Sequence, residues 1–194
     1  MKDDLLRGMI LSAAGAHRAS HIHLRVPSQE LAPDSGENGD VDLLVYGDAG
    51  PQQAAAYEFK RVKIAPHTFS TGSPNKLSAI SKAVQQANAL ERLGFSIVVL
   101  AILLVTDGRE RVEFNFAFRG ASHDLLRTVD SALDLSNLRA DVGVCRFEVV
   151  QPIDREFTMS GGISVKAFRI PKIRQQPLEL TQRIELYASR SAGA

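Results

Sequence analysis

Apolar residues along this chain follow two rhythms, and the switches between them mark the elements. Ile97 to Val105 is an unbroken apolar run, which predicts a strand buried on both faces. Val41-Asp42-Leu43-Leu44-Val45-Tyr46 and Tyr57 to Ile64 are rich in β-branched and aromatic residues and are bounded by Gly and Pro, so both predict strands. His21 to Val26 alternates and predicts a first strand that Pro27 ends. Helical spacing occurs in Lys2 to Ala14, where Leu5, Leu6, Met9, Ile10 and Ala13 share a side. A second helix has a marked start, with Ser73 as N-cap and Pro74 at the first helical position. Its buried stripe is Leu77, Ile80, Val84, Ala87 and Leu90, and Gly94 ends it.

Polar stretches separate these segments. Ser28 to Gly39 predicts a loop containing Pro33, Gly36 and the turn dipeptide Asn38-Gly39, and a second loop surrounds Gly47, Gly50 and Pro51. In the second half, Val112, Phe114, Phe116 and Phe118 alternate with Glu113, Asn115 and Ala117, as in a half-buried strand. Ser122 caps a predicted helix carrying Leu125, Leu126, Val129 and Leu133. Strands are predicted over Val142–Val150 and Ile163–Ile170, the second after a Gly161-Gly162 turn. The order over residues 1–105 is helix, three strands, helix, strand. Residues 106–194 read as an extension of the same sheet, giving one α/β domain over 1–194 with a central mixed sheet flanked by helices.

Within this frame the polar residues of two strands carry the candidate chemistry. Fifteen residues separate Asp42 from Glu58, and Glu58-Phe59-Lys60 stands mid-strand. Successive strand side chains alternate faces, so Glu58 and Lys60 share one face and Phe59 takes the other. If the strands pair, Asp42 joins Glu58 and Lys60. Two carboxylates ~4 Å apart repel by ~4 kcal/mol at an effective dielectric of 20, and a divalent cation removes that cost.

This constellation resembles the PD-(D/E)xK nuclease superfamily, the restriction-endonuclease-like fold. Asp42 takes the first acidic position, Glu58 the second and Lys60 the lysine, while Val41 replaces the nominal proline. The helix–strand order over residues 1–105 matches the α-β-β-β-α-β core of that fold. The resemblance implies a DNA-cleaving phosphodiesterase, endonuclease or exonuclease. Asp42 and Glu58 would hold Mg²⁺ (Mn²⁺ as a substitute), with the Phe59 carbonyl as an extra ligand, and Lys60 would position or activate the attacking water. Some branches carry Gln-x-x-x-Tyr in the following helix. Gln86 to Leu90 has that spacing with Leu in place of Tyr, and Gln86 sits at the border of the apolar stripe. Members often add an acid from the first helix, for which Asp3 and Asp4 are candidates, with Glu30 a further one. Acids in a first helical turn also answer the helix dipole.

Charge and composition limit this picture. The chain has 194 residues, with 23 Lys and Arg against 22 Asp and Glu, for a net charge of +1. A nonspecific DNA binder is often strongly basic. The charge is unevenly placed, however. From Phe157 to Leu178 there is no acid, while Lys166, Arg169, Lys172 and Arg174 are basic, and Arg61, Lys63, Lys76 and Lys82 lie near the acidic pair. These eight are the candidate phosphate contacts, against the alternative of strand edges guarded by cations. His17, His21 and His23 lie close together but lack a Cys or acid at ligand spacing. The acidic run Asp34 to Asp40 lacks EF-hand register and reads as a solvated turn. The lone Cys145 excludes an internal disulfide. No signal-peptide pattern occurs, and the Ile97–Val105 run is shorter than the ~20 residues of a membrane span. A soluble cytoplasmic protein with no membrane partner is expected. A homodimer is a further expectation, because cutting both strands needs two sites. The alternative is a catalytically inactive nucleic-acid-binding or assembly protein that keeps the fold. In its assembly form the Glu58–Lys60 pair is structural and Asp42 lies far away.

Overall fold

The structure, a computed structural model, describes residues 21–33, 39–64, 78–107, 121–151 and 163–191. The predicted helix Lys2–Ala14 with Asp3 and Asp4, His17, the Ser73-Pro74 helix start, Lys76 and the 112–118 strand lie outside the described residues.

The strands are β1 (His21–Pro27), β2 (Asp40–Gly47), β3 (Gly50–Ile64), β4 (Ile97–Asp107), β5 (Gly143–Gln151) and β6 (Ile163–Arg169). They form one six-stranded sheet in sequential order. β1, β2 and β3 run as antiparallel neighbours, β3 to β4 and β4 to β5 are parallel, and β6 returns antiparallel to β5. The parallel pairs sit centrally, where the continuous apolar run of β4 requires burial on both faces. The second half of the chain thus continues the sheet of the first.

The helices are α1 (Ser28–Leu31), α2 (Ser78–Leu93), α3 (His123–Ala132) and α4 (Leu178–Ser191). Apolar residues of all four enter one core. Leu31, the predicted stripe Ile80, Val84, Ala87 and Leu90, then Leu125, Val129, Leu180 and Ile184 meet Leu44, Ala56, Val62, Leu100, Ile102 and Val144 of the sheet. On the opposite sheet face, Leu43, Val45 and Ala55 form one buried apolar cluster and Ala101, Leu103, Phe147 and Val149 another. Ser122 caps α3 as expected, its hydroxyl accepting from the Leu125 amide at 3.3 Å. Gly94 ends α2 at φ +94, and a Cβ there would meet Pro177 at 2.8 Å.

Three features depart from the pattern read in the sequence. α1 replaces the first turn of the predicted Ser28–Gly39 loop. The loop between β2 and β3 contracts to Asp48-Ala49, and Pro51 is buried inside β3, near the strand start where proline is tolerated. The last helix, α4, was not expected. Its stripe of Leu180, Thr181 and Ile184 is buried on the sheet, and a latch precedes it. In that latch Gln176 Nε2 donates to the Pro51 carbonyl at 2.6 Å and to Thr181 Oγ1 at 2.9 Å, while Gln176 Oε1 accepts from the Ser96 amide at 3.3 Å.

Candidate active site where strands β2 and β3 part

The β2–β3 ladder runs from Gly47–Gly50 to Leu43–Tyr57 and stops there, whereas β1 stays paired with β2 down to Asp40. On its other edge β3 stays paired with β4 from Ala55 to Ile64. The sheet therefore forks. The N–H and C=O of one strand residue point to the same neighbour, so the Phe59 amide on the β2 side loses its backbone partner. Asp42 supplies another: its Oδ2 accepts from the Phe59 amide at 2.7 Å. The Phe59 carbonyl faces the same fork.

The predicted alternation holds. Glu58 and Lys60 belong to the helix-side face with Ala56 and Val62, while Phe59 stacks on Tyr57 on the other face at 5.9 Å between ring centroids. Glu58 is 3 % exposed. Asp42, bonded to the amide of the next residue, Phe59, lies close enough for its charge to act on the Glu58 carboxyl, so the two acids meet at the fork. Burial, with the Asp42 charge beside it, pushes the Glu58 carboxyl up to about 8. Burial raises Asp42 as well, against the opposing Phe59 amide and Lys60 charge. Lys60 and Lys82 both act to keep Glu58 ionised. The assembly alternative placed Asp42 and Glu58 far apart; the fold brings them together.

Glu58 lines an open cleft of about 450 Å³, walled by Lys82, Gln85 and Gln86 of α2 and by Gly39 and Asp40 at the start of β2, while Asp42 lies beside Glu58 outside that lining. Ser28 fixes the second wall, since its amide and hydroxyl both donate to the Gly39 carbonyl at 2.9 Å. Gln86 reaches the cleft as its helical angle suggests. Its Oε1 is buried with no hydrogen-bond partner, an orphaned acceptor of the kind that calls for a ligand or water.

Asp40 was missed by the sequence reading, which placed it in a solvated turn. It opens β2, lines the cleft, and its charge adds to the load on Asp42. Its position two residues before Asp42 is the signal that was available. Glu30 instead pairs with Arg190 of α4 at 3.2 Å.

The proposed phosphate contacts divide. Lys82 lines the cleft. Arg61 alternates with Lys60 and so belongs to the other face of β3, and Lys63 stands farther along that strand opposite Val105. The C-terminal cations are engaged within the fold and are not among the residues lining the cleft. Lys166 pairs with Asp130 at 2.9 Å, and Lys172 with Asp141 at 3.2 Å. Arg169 donates to the carbonyls of Val142 at 2.7 Å and Arg139 at 2.9 Å. Arg174 pairs with the buried Glu91 and with Asp141.

His21 and His23 serve as aromatic bodies. His21 stacks on Tyr46 at 4.7 Å, and His23 places Nε2 3.2 Å from the Tyr46 hydroxyl and an edge on Tyr187. No group of three or more His, Cys, Asp or Glu side chains poised for a metal occurs among the described residues. The acids at the fork number two, with Asp40 nearby. Among the described residues no helix is long and apolar enough to cross a membrane.

No family model matches the chain, and no curated protein matches it. A solved protein of unknown function from Silicibacter pomeroyi is similar at 12% identity and a TM-score of 0.35, over 91% of this chain and 77% of that one. A likeness of that size assigns neither fold nor function.

Proposed function

We propose that this chain is a metal-dependent phosphodiesterase that hydrolyses DNA, built on a restriction-endonuclease-like core. The observation that carries the reading is the meeting of Asp42 and Glu58 where β2 and β3 part, with Lys60 and Lys82 beside them. A buried acid raised to about 8 and a half-buried acid beside it form a pair of carboxylates that a divalent cation would hold ionised. The Phe59 carbonyl on the fork side and the orphaned Gln86 Oε1 supply further neutral oxygens. Such a set fits a hard divalent cation, which takes oxygen ligands and keeps several waters.

Asp42, Glu58 and the Phe59 carbonyl would hold that cation. When bound, it lowers the pKa of a water and stabilises charge on a phosphate. The protein's own groups do the rest. Lys60 orients the attacking water by its ammonium donors. Gln86 Oε1 accepts a hydrogen bond from a water or from the substrate edge. Lys82 attracts the phosphodiester across the cleft mouth.

Cleavage of linear, single-stranded and branched DNA and of RNA, with Mg²⁺ or Mn²⁺, tests the assignment. Activity is expected in the wild type and lost in Asp42→Asn, Glu58→Gln and Lys60→Ala. Full activity in any of the three sinks it. Calorimetry separates the binding-module reading, which requires nucleic-acid binding without metal uptake at the Asp42–Glu58 pair.

A further inference from the structure

Arg25 is the one non-glycine residue with positive φ among the described residues, at +51. Left-handed backbone is costly for a residue with a Cβ, and glycine or asparagine usually fills such positions. Strain of this kind in a strand concentrates at sites that use it. The position is informative. Leu24 pairs with Leu43 and Val26 with Val41, so Arg25 and Asp42 are the two residues left between neighbouring rungs of the β1–β2 ladder.

The left-handed step changes the phase of the strand. Leu24 is 37% exposed, yet Val26, two residues on, is fully buried in the helix-side core together with its partner Val41. Strict alternation would keep Leu24 and Val26 on one face. A glycine would make this twist without strain, so the twist does not account for an arginine. What the arginine adds is an exposed guanidinium on the β1 side of the fork. Lys60 stands on the β3 side and Lys82 on α2. The charges of Lys60 and Arg25 favour the ionised form of Asp42, and those of Lys60 and Lys82 favour that of Glu58, so three elements bring positive charge to the two acids.

We propose that Arg25 is a substrate-positioning residue, whose guanidinium fork grips a backbone phosphate of the nucleic acid and sets the neighbouring phosphodiester over the Asp42–Glu58 pair. A planar fork suits bidentate contact with phosphate in a way that a lysine does not. This inference rests on the phosphodiesterase reading.

The test uses the full chain and a fluorescein-labelled DNA duplex. Binding is measured with Ca²⁺ in place of Mg²⁺ over a range of salt, and cleavage with Mg²⁺. Removing one phosphate contact makes the slope of log K against log salt shallower by about 0.9. Arg25→Gly is expected to lose about tenfold in affinity, in line with a charge-assisted hydrogen bond, with that change in slope. The loss should fall on KM more than on kcat. Arg25→Lys should keep the slope and recover only part of the affinity. Arg25→Gln keeps the backbone preference and removes the charge, so it gives the same comparison if the glycine variant unfolds. Wild-type affinity, slope and KM in both uncharged variants, with the wild type active, overturn the role of Arg25 alone. A wild type that neither binds nor cuts any substrate overturns the functional reading and this inference with it.

Discussion

The Phe59 amide donates to Asp42 Oδ2 at 2.7 Å where the β2–β3 ladder has ended, so one carboxylate stands in for a missing backbone rung. Asp42 therefore has a structural task beside the proposed chemical one. Asp42→Asn keeps an acceptor oxygen for Phe59 and should unfold in urea near the wild-type midpoint. Asp42→Ala leaves the amide unsatisfied and should cost about 1–3 kcal/mol. Both should abolish divalent-dependent cleavage. Equal stability of the two variants would remove the structural task.

Glu58 gives the metal-free protein a pH dependence of known sign. Its carboxyl titrates near 4.5 when unfolded and about 8 when folded. The folded state binds more protons between those values, so the stability from this group is full below pH 4.5 and lost as pH rises through 8. Glu58→Gln lacks that loss. In chelator, its stability relative to wild type should grow by several kcal/mol between pH 5 and pH 9, read by urea titration. Added Mg²⁺ at pH 8 should raise the melting temperature of the wild type and leave that of Glu58→Gln in place. A constant difference across pH would show that folding does not raise the Glu58 carboxyl.

Gln176 ties the segment before α4 to the strands that build the site. Gln176→Leu strands the Ser96 amide and the Pro51 carbonyl together, which should cost about 2–4 kcal/mol. The exposed neighbour gives a control, since Gln175→Leu should be near neutral. Urea midpoints of the two variants decide whether the latch holds.

Burial pushes the Cys145 thiol up to about 12. The thiolate is the reactive form, so iodoacetamide at pH 8 should leave the native protein unmodified and label it fully in denaturant. Rapid labelling of the native protein would place this thiol elsewhere.

The sequence carried the strands well because their faces alternate. Glu58 and Lys60 alternate with Phe59 as a period of two predicts, and the α2 stripe from Ile80 to Leu90 is buried as its spacing predicts. The fork was not legible. The alternation on β2 and β3 fits a ladder of any length, and only the register shift between Val45 and Gly47 and the stop at Leu43–Tyr57 define the opening. Arg25 was silent for a related reason, because no glycine or asparagine announced its left-handed step. α4 escaped because its buried stripe includes Thr181 and its exposed side carries Leu178 and Leu186, which blurs the period. The C-terminal cations were misleading as a group. Their partners Glu91, Asp130 and Asp141 arrive from distant parts of the chain, and local charge does not reveal them.

The carboxylate that replaces a rung also limits coordination. A carboxylate has two oxygens, and Phe59 occupies Oδ2 of Asp42. Among the described residues Oδ1 carries no such bond, so a cation at the fork would meet Asp42 most readily there, as a monodentate ligand. Bidentate capture would have the cation share Oδ2 with the Phe59 amide. Small ions with short bonds and many retained waters suit that arrangement better than large ions that favour chelating carboxylates. The proposed site is thus expected to take Mg²⁺ or Mn²⁺ more readily than Ca²⁺ because of the way this sheet is closed, which calorimetry with the three ions would check.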